Sequence, residues 1–432
     1  MNPPVPEGQR LPALLVLLMA PLAGALVTLS LAPFNIWPAG IASLVLLSYL
    51  LCACDPRDAI WRGWLFGVGM FGSGASWVWV SIHVYGYASV PLATVLTILF
   101  CTGLALLHSL FAWCYVRFVR PLPGGMLLGF AVLWVLFEWL RSWLLTGFPW
   151  LYLGYAHIDT WIAGWAPVFG VYGLSLISAL TASCLFLSWR SRQLGPGLTY
   201  AGAIATLWFG GAVLKPIEWV APATEEPLTV ALYQPNIPQE RKWDRTYYSS
   251  ILQQYRAVMP SLYGYDIILW PEAAIPNTFE RARDFLDPLA AQARTVDSAL
   301  ITGIPMRPEP DSIHNSIIAM GQGGGVYHKQ RLVPFGEYVP LEQWLRGLIA
   351  FFDLPMSNFS RGGPDQPPLR AASFRLAPFI CYEIVYPDLV SDGARQADLL
   401  ITISNDSWFG RSIGPLQHLQ MARMRALENG RY

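Results

Sequence analysis

Charge is what this chain has least of. Only 13% of its 432 residues are Asp, Glu, Lys or Arg, against 54% hydrophobic. An ordinary soluble domain carries roughly 25% charged residues. So little charge excludes a disordered chain and a coiled coil. Lys+Arg and Asp+Glu are equal at 28 each, so no field of one sign steers a polyanion, and a nucleic-acid binder is excluded as well. Metal-ligand spacing is also missing. The six His are scattered, with His83, His108 and His157 in or near apolar stretches, and no HExxH or paired-Cys pattern occurs. The cluster Gly321, Gly323, Gly324 and Gly325 lacks the Lys-Ser/Thr ending of a phosphate loop and reads as a turn.

The few charges are unevenly placed. Residues 1–214 hold 8 Lys/Arg and 5 Asp/Glu, while residues 215–432 hold 20 and 23. The chain therefore reads as a membrane domain over 1–214, a linker over 215–227 and a water-soluble domain over 228–432. A helix needs about 20 mostly apolar residues to cross the hydrocarbon core. Seven stretches qualify, at about 11–31, 36–54, 59–81, 89–116, 124–147, 163–188 and 197–214. The first resembles a signal peptide, but its flank has a single Arg10 and six more spans follow, so it reads as a retained helix. Alternate connections carry Arg10, Arg57 and Arg62, Arg117 and Arg120, then Arg190 and Arg192, whereas the intervening short loops carry no Lys or Arg. That bias places the amino terminus in the cytoplasm and, after seven crossings, the soluble half outside it. Glu138 and Arg141 share a helix face in the fifth span. The plainer reading is an ion pair near the outer end, with Arg141 snorkelling to the interface.

From residue 228 the pattern changes to short apolar runs, each closed by a polar or turn cluster. The runs 228–233, 267–270, 299–302, 376–380 and 399–404 are candidate strands buried on both faces. Helical stretches fall near 245–258, 279–295 and 415–428. Alternating strands and helices imply a layered sheet flanked by helices, and ligands collect beyond the strand ends of such sheets. Five of the six cysteines lie in the membrane half, and Cys381 is the only one in the soluble half. A disulfide framework there is impossible without a partner chain, and a lone thiol in an oxidising compartment is a liability. A buried, inert Cys is the default reading, but the neighbours argue otherwise. Cys381 closes one apolar run, Glu272 closes another, and Lys329 follows the glycine turn. A thiol needs a base to become an effective nucleophile, a carboxylate supplies one, and an ammonium steadies an oxyanion. The three fill complementary roles in acyl transfer, although 57 and 52 residues of separation are no motif in themselves.

With those residues in view, the sequence resembles the bacterial apolipoprotein N-acyltransferases, a membrane-anchored branch of the nitrilase (carbon–nitrogen hydrolase) superfamily. The resemblance is carried by YQPNIPQ at 233–239, WPEAAIP at 270–276, YHKQRLVPFGEYVP at 327–340, FICYE at 379–383 and ISNDSWFG at 403–410. It implies an αββα sandwich joined to a multi-pass helical membrane domain. It further implies Glu272 as general base, Lys329 as the residue stabilising the intermediate and Cys381 as nucleophile, with Glu337, Tyr382 and Glu383 in support. The implied reaction is ping-pong: Cys381 takes an acyl chain from a phospholipid as a thioester. The α-amino group of a lipoprotein's diacylglyceryl-cysteine then takes it over. No metal or organic cofactor is implied, and the expected location is the inner membrane with the catalytic domain periplasmic.

Further residues are less specific. Residues 341–352 (LEQWLRGLIAFF) lie between Pro340 and Pro355 and read as a lid over an interfacial site, with a core helix as the alternative. Trp243, Trp344 and Trp408 are candidates for lining the acyl or head-group pocket, and core packing explains each nearly as well. Members of the family continue past the position of Tyr432, so the carboxyl-terminal end is expected to be truncated. Two rival functions remain. One is an extracytoplasmic amidase or nitrilase passing the acyl group to water, which shares the same three residues. The other is a transporter or receptor whose soluble half binds without chemistry, which the charge-poor spans disfavour.

Overall fold

A computed structural model describes residues 11–432 except 222–223, 225–226, 311 and 339–357. The proposed lid at 341–352, with Trp344, lies outside the described residues. Two compact units are present among the described residues: those of 11–79, 89–219 and 411–430 form one, and those of 80–88, 220–410 and 431–432 form the other.

The first unit is helical. Five helical runs are long and apolar enough to cross a membrane: Ala13–Ser30, Val90–Val119, Gly125–Thr146, Trp161–Ser191 and Leu194–Leu214. Pro56–Gly74 and Val78–Tyr85, bent by 59°, make a sixth if counted as one span, and Trp37–Leu51 is apolar but only 15 residues long. These last two are the places where the expected spans 59–81 and 36–54 take a different form. The start of Pro56–Gly74 follows directly from its sequence. Asp55 accepts hydrogen bonds from the N–H groups of Arg57 and Asp58 at 2.9 Å each, and Pro56 needs no acceptor for a missing N–H. Gly63 and Gly67, one turn apart, let this helix approach Val90–Cys114 closely, because a Cβ at Gly67 would lie 2.7 Å from the Ala105 Cα. Small residues at such spacing are the usual means of close helix contact in lipid.

Glu138 and Arg141 are both buried, so Arg141 does not snorkel. Glu138 accepts from Trp134 Nε1 (3.0 Å) and Leu153 N (2.8 Å). The Arg141 guanidinium lies over the rings of Phe71 and Tyr152, 5.3 and 5.0 Å from their centroids. The helix Gly414–Asn429, late in the sequence, belongs to this unit. Gln417 Oε1 accepts from Trp77 Nε1 (3.2 Å) and Trp150 Nε1 (2.9 Å), and Arg425 pairs with Glu428 at 3.0 Å while lying over Tyr155.

The second unit holds two sheets. Strands β1 (Val230–Leu232), β2 (Ile267–Leu269) and β3 (Ala299–Glu309) run parallel, and β4 (Ser312–Gly321) and β6 (Val326–His328) extend the sheet antiparallel, in the order β1-β2-β3-β4-β6. The other sheet orders β5 (Gly323–Gly324), β7 (Leu369–Ala371), β8 (Phe374–Ile380) and β9 (Leu399–Ile403), with β8 and β9 parallel. Successive side chains of a strand point to opposite faces; in the central strands both faces are covered, whereas edge strand β1 leaves Val230 and Leu232 exposed, against the expectation of burial on both faces. Ile267, Ala299 and Ile301 enter one core with Leu369, Leu376, Ile380 and Ile403 of the second sheet. Ile268 and Leu300 face the opposite way, into a core with Tyr255, Met259, Phe285 and Leu286 from helices Tyr248–Leu262 and Phe279–Thr295. On the second sheet, helix Pro387–Ala394 packs so tightly that a Cβ at Gly393 would meet the Phe379 ring at 2.9 Å. The layering is helix, sheet, sheet, helix, as the αββα expectation had it. The glycines at 323 and 324 are more than a turn, since they pair with Ala371 and Arg370.

The packing of Gly67 is testable. Gly67→Ala should lower stability in detergent by about 1–3 kcal/mol through overpacking. Gly72→Ala, with open space around its Cβ position, should leave the melting temperature unchanged or raise it. Equal effects in thermal unfolding would remove the close-approach argument.

Candidate active site

Parallel strands present their carboxyl ends at one edge of a sheet, and the candidate residues follow those ends directly. Glu272 lies three residues past β2, Lys329 immediately past β6 and Cys381 immediately past β8. Strand β4 runs the other way, so Asn315, near its start, reaches the same edge. Its carbonyl accepts the Lys329 N–H at 2.8 Å.

Lys329 is the centre of the arrangement. Its side chain is 1% exposed, and its Nζ lies 2.9 Å from Glu337 and 3.8 Å from Glu272 Oε1. Burial opposes the ammonium charge, but Glu337 and Glu272 outweigh it and hold the Lys329 pKa above its ordinary value. Asn315 Nδ2 donates to Glu272 Oε1 at 2.8 Å and to Glu337 Oε1 at 2.9 Å, tying the two carboxylates together. Glu337 also accepts the Val333 N–H at 2.8 Å, and Glu272 Oε2 accepts the Asn405 N–H at 2.8 Å. Every carboxylate oxygen in this group therefore has a donor.

Cys381 is half-buried and opens a short 3-10 turn, Cys381–Val385, with φ +52°. A non-glycine residue there carries local strain, a common feature of nucleophile turns. Burial and the Glu272 carboxylate push its thiol well above the ordinary value, against the pull of Lys329. The resting side chain is a neutral thiol beside a carboxylate and an ammonium. Such a set can move a proton off sulfur and steady a negative oxygen.

Glu383 does something different from its neighbours. It is fully buried, and its Oε2 reaches back to the Ile380 N–H at 2.8 Å, while Oε1 accepts from Tyr327 OH (2.9 Å), Gln330 N (2.7 Å) and Arg331 N (3.1 Å). One carboxylate thus pins the turn bearing Cys381 to the segment following Lys329. Burial pushes its pKa up to about 7, against Lys329 and the main-chain donors. Tyr382 packs edge-on against Tyr386 at 5.3 Å. Trp243 is 38% exposed just after helix Gln239–Lys242. Trp408 packs against Tyr85 at 5.6 Å, and its carbonyl accepts from Ser81 Oγ at 2.8 Å. Among the described residues, no group of three or more His, Cys, Asp or Glu is placed to hold a metal ion.

Sequence reasoning missed Asn315 and Lys242, and gave Gln239 and Asn405 no role although both lie in the quoted segments. Lys242 Nζ donates to the Glu272 carbonyl at 2.9 Å, and Asn405 Nδ2 donates to Gln239 Oε1 at 2.9 Å. No periodicity announces these contacts. Replacing Glu383 tests its structural part: Glu383→Ala strands four donors in a buried site and should cost several kcal/mol, about 3–5. Tyr327→Phe removes a single donor and should cost about 1 kcal/mol. Thermal unfolding of the two variants measures this, and equal losses would contradict the pinning role.

Residues 23–184 match the family described as apolipoprotein N-acyltransferase N-terminal domain, and residues 229–432 match the carbon-nitrogen hydrolase family. The apolipoprotein N-acyltransferases of Azotobacter vinelandii and Pseudomonas aeruginosa are each 48% identical to this chain, covering 96% of it and 82% of their own length. That of Coxiella burnetii is 41% identical, covering 96% of this chain and 86% of its own. Among solved structures, an amidase from Nesterenkonia sp. aligns over 47% of this chain and 73% of its own, at 20% identity and a TM-score of 0.29. With both halves matched in order and relatives identical at nearly every second position, the chain belongs to the apolipoprotein N-acyltransferase family.

Proposed function

We infer that the protein transfers a fatty acyl chain from a membrane phospholipid to the α-amino group of the diacylglyceryl-cysteine of apolipoproteins, the N-acylation of lipoprotein maturation. The observation that carries the chemistry is the buried Lys329 ammonium between the Glu337 and Glu272 carboxylates, at the strand ends that also bear Cys381. In the first half-reaction the Cys381 sulfur attacks the donor's ester carbonyl while Glu272 takes the thiol proton. Lys329 stabilises the tetrahedral oxyanion. Collapse breaks the ester C–O bond, Glu272 returns the proton to the departing alkoxide, and lysophospholipid leaves behind a Cys381 thioester. In the second, the acceptor amine attacks that thioester and Glu272 takes the amine proton; the C–S bond then breaks to give the amide, and Glu272 passes the proton to the departing sulfur, regenerating the thiol. Glu337 and Glu383 hold Lys329 and the Cys381 turn in place, Tyr382 supports the same turn, and Trp243 and Trp408 line the substrate path.

Both substrates are amphiphiles, and the membrane-length helices confine the enzyme to the same bilayer. The inferred location is the bacterial inner membrane, with the amino terminus cytoplasmic and the catalytic part periplasmic. Residues 1–214 serve as the membrane domain, 215–227 as linker and 228–410 as catalytic sequence, helix Gly414–Asn429 belonging to the helical unit.

The test is acyl capture. Full-length protein incubated with phospholipid labelled in its acyl chain should give a hydroxylamine-labile adduct on the Cys381 peptide, read by mass spectrometry. Cys381→Ala should abolish it, and Glu272→Gln should slow it by about 10²-fold or more. Absence of any adduct would sink the acyltransferase reading, and release of labelled free fatty acid without transfer to a diacylglyceryl peptide would make the protein a hydrolase.

A further inference from the structure

The buried charges in ion-pair contact with Lys329 do not balance. Glu272 and Glu337 supply two carboxylates and Lys329 a single ammonium, all 7% exposed or less. An uncompensated charge in such surroundings is strongly disfavoured. A second buried cation stands beside them. Lys242 ends the helix Gln239–Lys242, is 6% exposed, and donates to the Glu272 main-chain carbonyl at 2.9 Å. The same helix reaches the Glu272 carboxylate indirectly: Gln239 Oε1 accepts from Asn405 Nδ2, and the Asn405 N–H donates to Glu272 Oε2. Glu272 is thereby gripped at its main chain by one residue of the helix and at its carboxylate through another.

We propose that Lys242 is a positioning residue for acyl transfer, the second buried cation that balances the carboxylate pair and keeps the Glu272 side chain charged and aimed. The groups facing Glu272 are Lys329, Lys242 and the Cys381 thiol, with Glu337 across Lys329, Glu383 acting on Lys329 from the Cys381 turn, and Asp406 beside the thiol. The Glu383 titration near 7 is common to wild type and variants, so only the difference between their limbs reports on Glu272. On its own helix the flanking Glu240 and Arg241 are exposed, so water screens them. Burial pulls the Lys242 pKa down to about 8, against the attraction of Glu272. It is therefore an ammonium at neutral pH, and its charge is lost only as pH rises through that value. A lysine that merely caps a carbonyl would act on stability and on rate equally at every pH. A charge-balancing lysine acts on the ionisation of its neighbour, so the two roles separate in a pH profile.

The proposal rests on Glu272 taking the Cys381 proton, as inferred above. The measurement is the rate of acyl-thioester formation on Cys381 between pH 5 and 8, with full-length wild type, Lys242→Met and Lys242→Arg. Labelled phospholipid is one donor, and p-nitrophenyl butyrate, which needs no lipid recognition, is the other. Losing the cation makes the carboxylate harder to keep charged. The acidic limb should therefore move to higher pH by about one unit in Lys242→Met, slowing the reaction about tenfold on that limb, while Lys242→Arg keeps the wild-type limb. A Lys242→Met limb that coincides with wild type, with or without a uniform loss of rate, overturns the proposal and leaves the acyltransferase reading intact. If Lys242→Met does not fold, Lys242→Gln replaces it: a shifted limb supports the charge-balancing role and an unshifted one overturns it. Wild type that forms a thioester from neither donor overturns both readings, whereas reaction with the activated ester alone sinks only the phospholipid donor.

Discussion

Burying the Lys329 ammonium is the constraint from which the rest of the site follows. A charge that is 1% exposed persists only with partners, and its partners come from distant parts of the sequence. Glu272 follows β2, Glu337 belongs to the segment after β6, and Asn315 sits on the antiparallel β4 and bonds both carboxylates. The first sheet must therefore be complete, from β2 through β6, before the charge can be buried. A scaffold that misplaced β4 by one residue would turn Asn315 to the opposite face and leave two carboxylates without their shared donor.

Glu383 solves a separate problem, that of joining the two sheets at the reacting edge. Cys381 belongs to the second sheet and Lys329 to the first. A single carboxylate accepts hydrogen bonds from Ile380 on one side and from Gln330, Arg331 and Tyr327 on the other. The strained φ of +52° at Cys381 is sustained by that bond to the preceding residue. Two adjacent acidic roles are thus divided physically. Glu337 and Glu272 face the ammonium, while Glu383 faces main-chain donors and carries the framework.

What the sequence disclosed depended on how each element is buried. Strands β2 and most of β8 have both faces covered, and β9 is half-buried along its length, so their apolar runs are continuous, and the polar residue ending each run could be picked out. Strand β4 opens with Ser312, His314 and Asn315 before its apolar part, and β5 to β7 are two or three residues long, too short for any period to show. Glu272 and Cys381 were visible because they close such runs, and Lys329 because it follows the glycine turn; all three lie in specific segments. Asn315 and Lys242 were not visible, since their importance lies in which strand end they face, a matter of register rather than composition. The helix Gly414–Asn429 read as one more helical stretch of the soluble half. Its polar residues instead meet Trp77, Trp150 and Tyr155 inside the helical unit, and local sequence carries no sign of that destination.

The electrostatic state of Cys381 connects these points to function. With Lys329 committed to two carboxylates, the thiol is left protonated, and burial pushes it further from ionisation. Oxidation and alkylation follow thiolate character, so a neutral thiol is protected on the inferred extracytoplasmic side, where a lone cysteine is otherwise exposed to oxidants. The same arrangement makes reactivity conditional. In the proposed reaction, negative charge created on sulfur passes at once to an acyl carbonyl, where Lys329 meets it as an oxyanion, and the proton goes to Glu272. On the proposed roles of Glu272 and Lys242, the cations around Glu272 set the balance between a protected thiol and an active one. The resting site favours protection until an acyl donor supplies the atom on which the charge can rest.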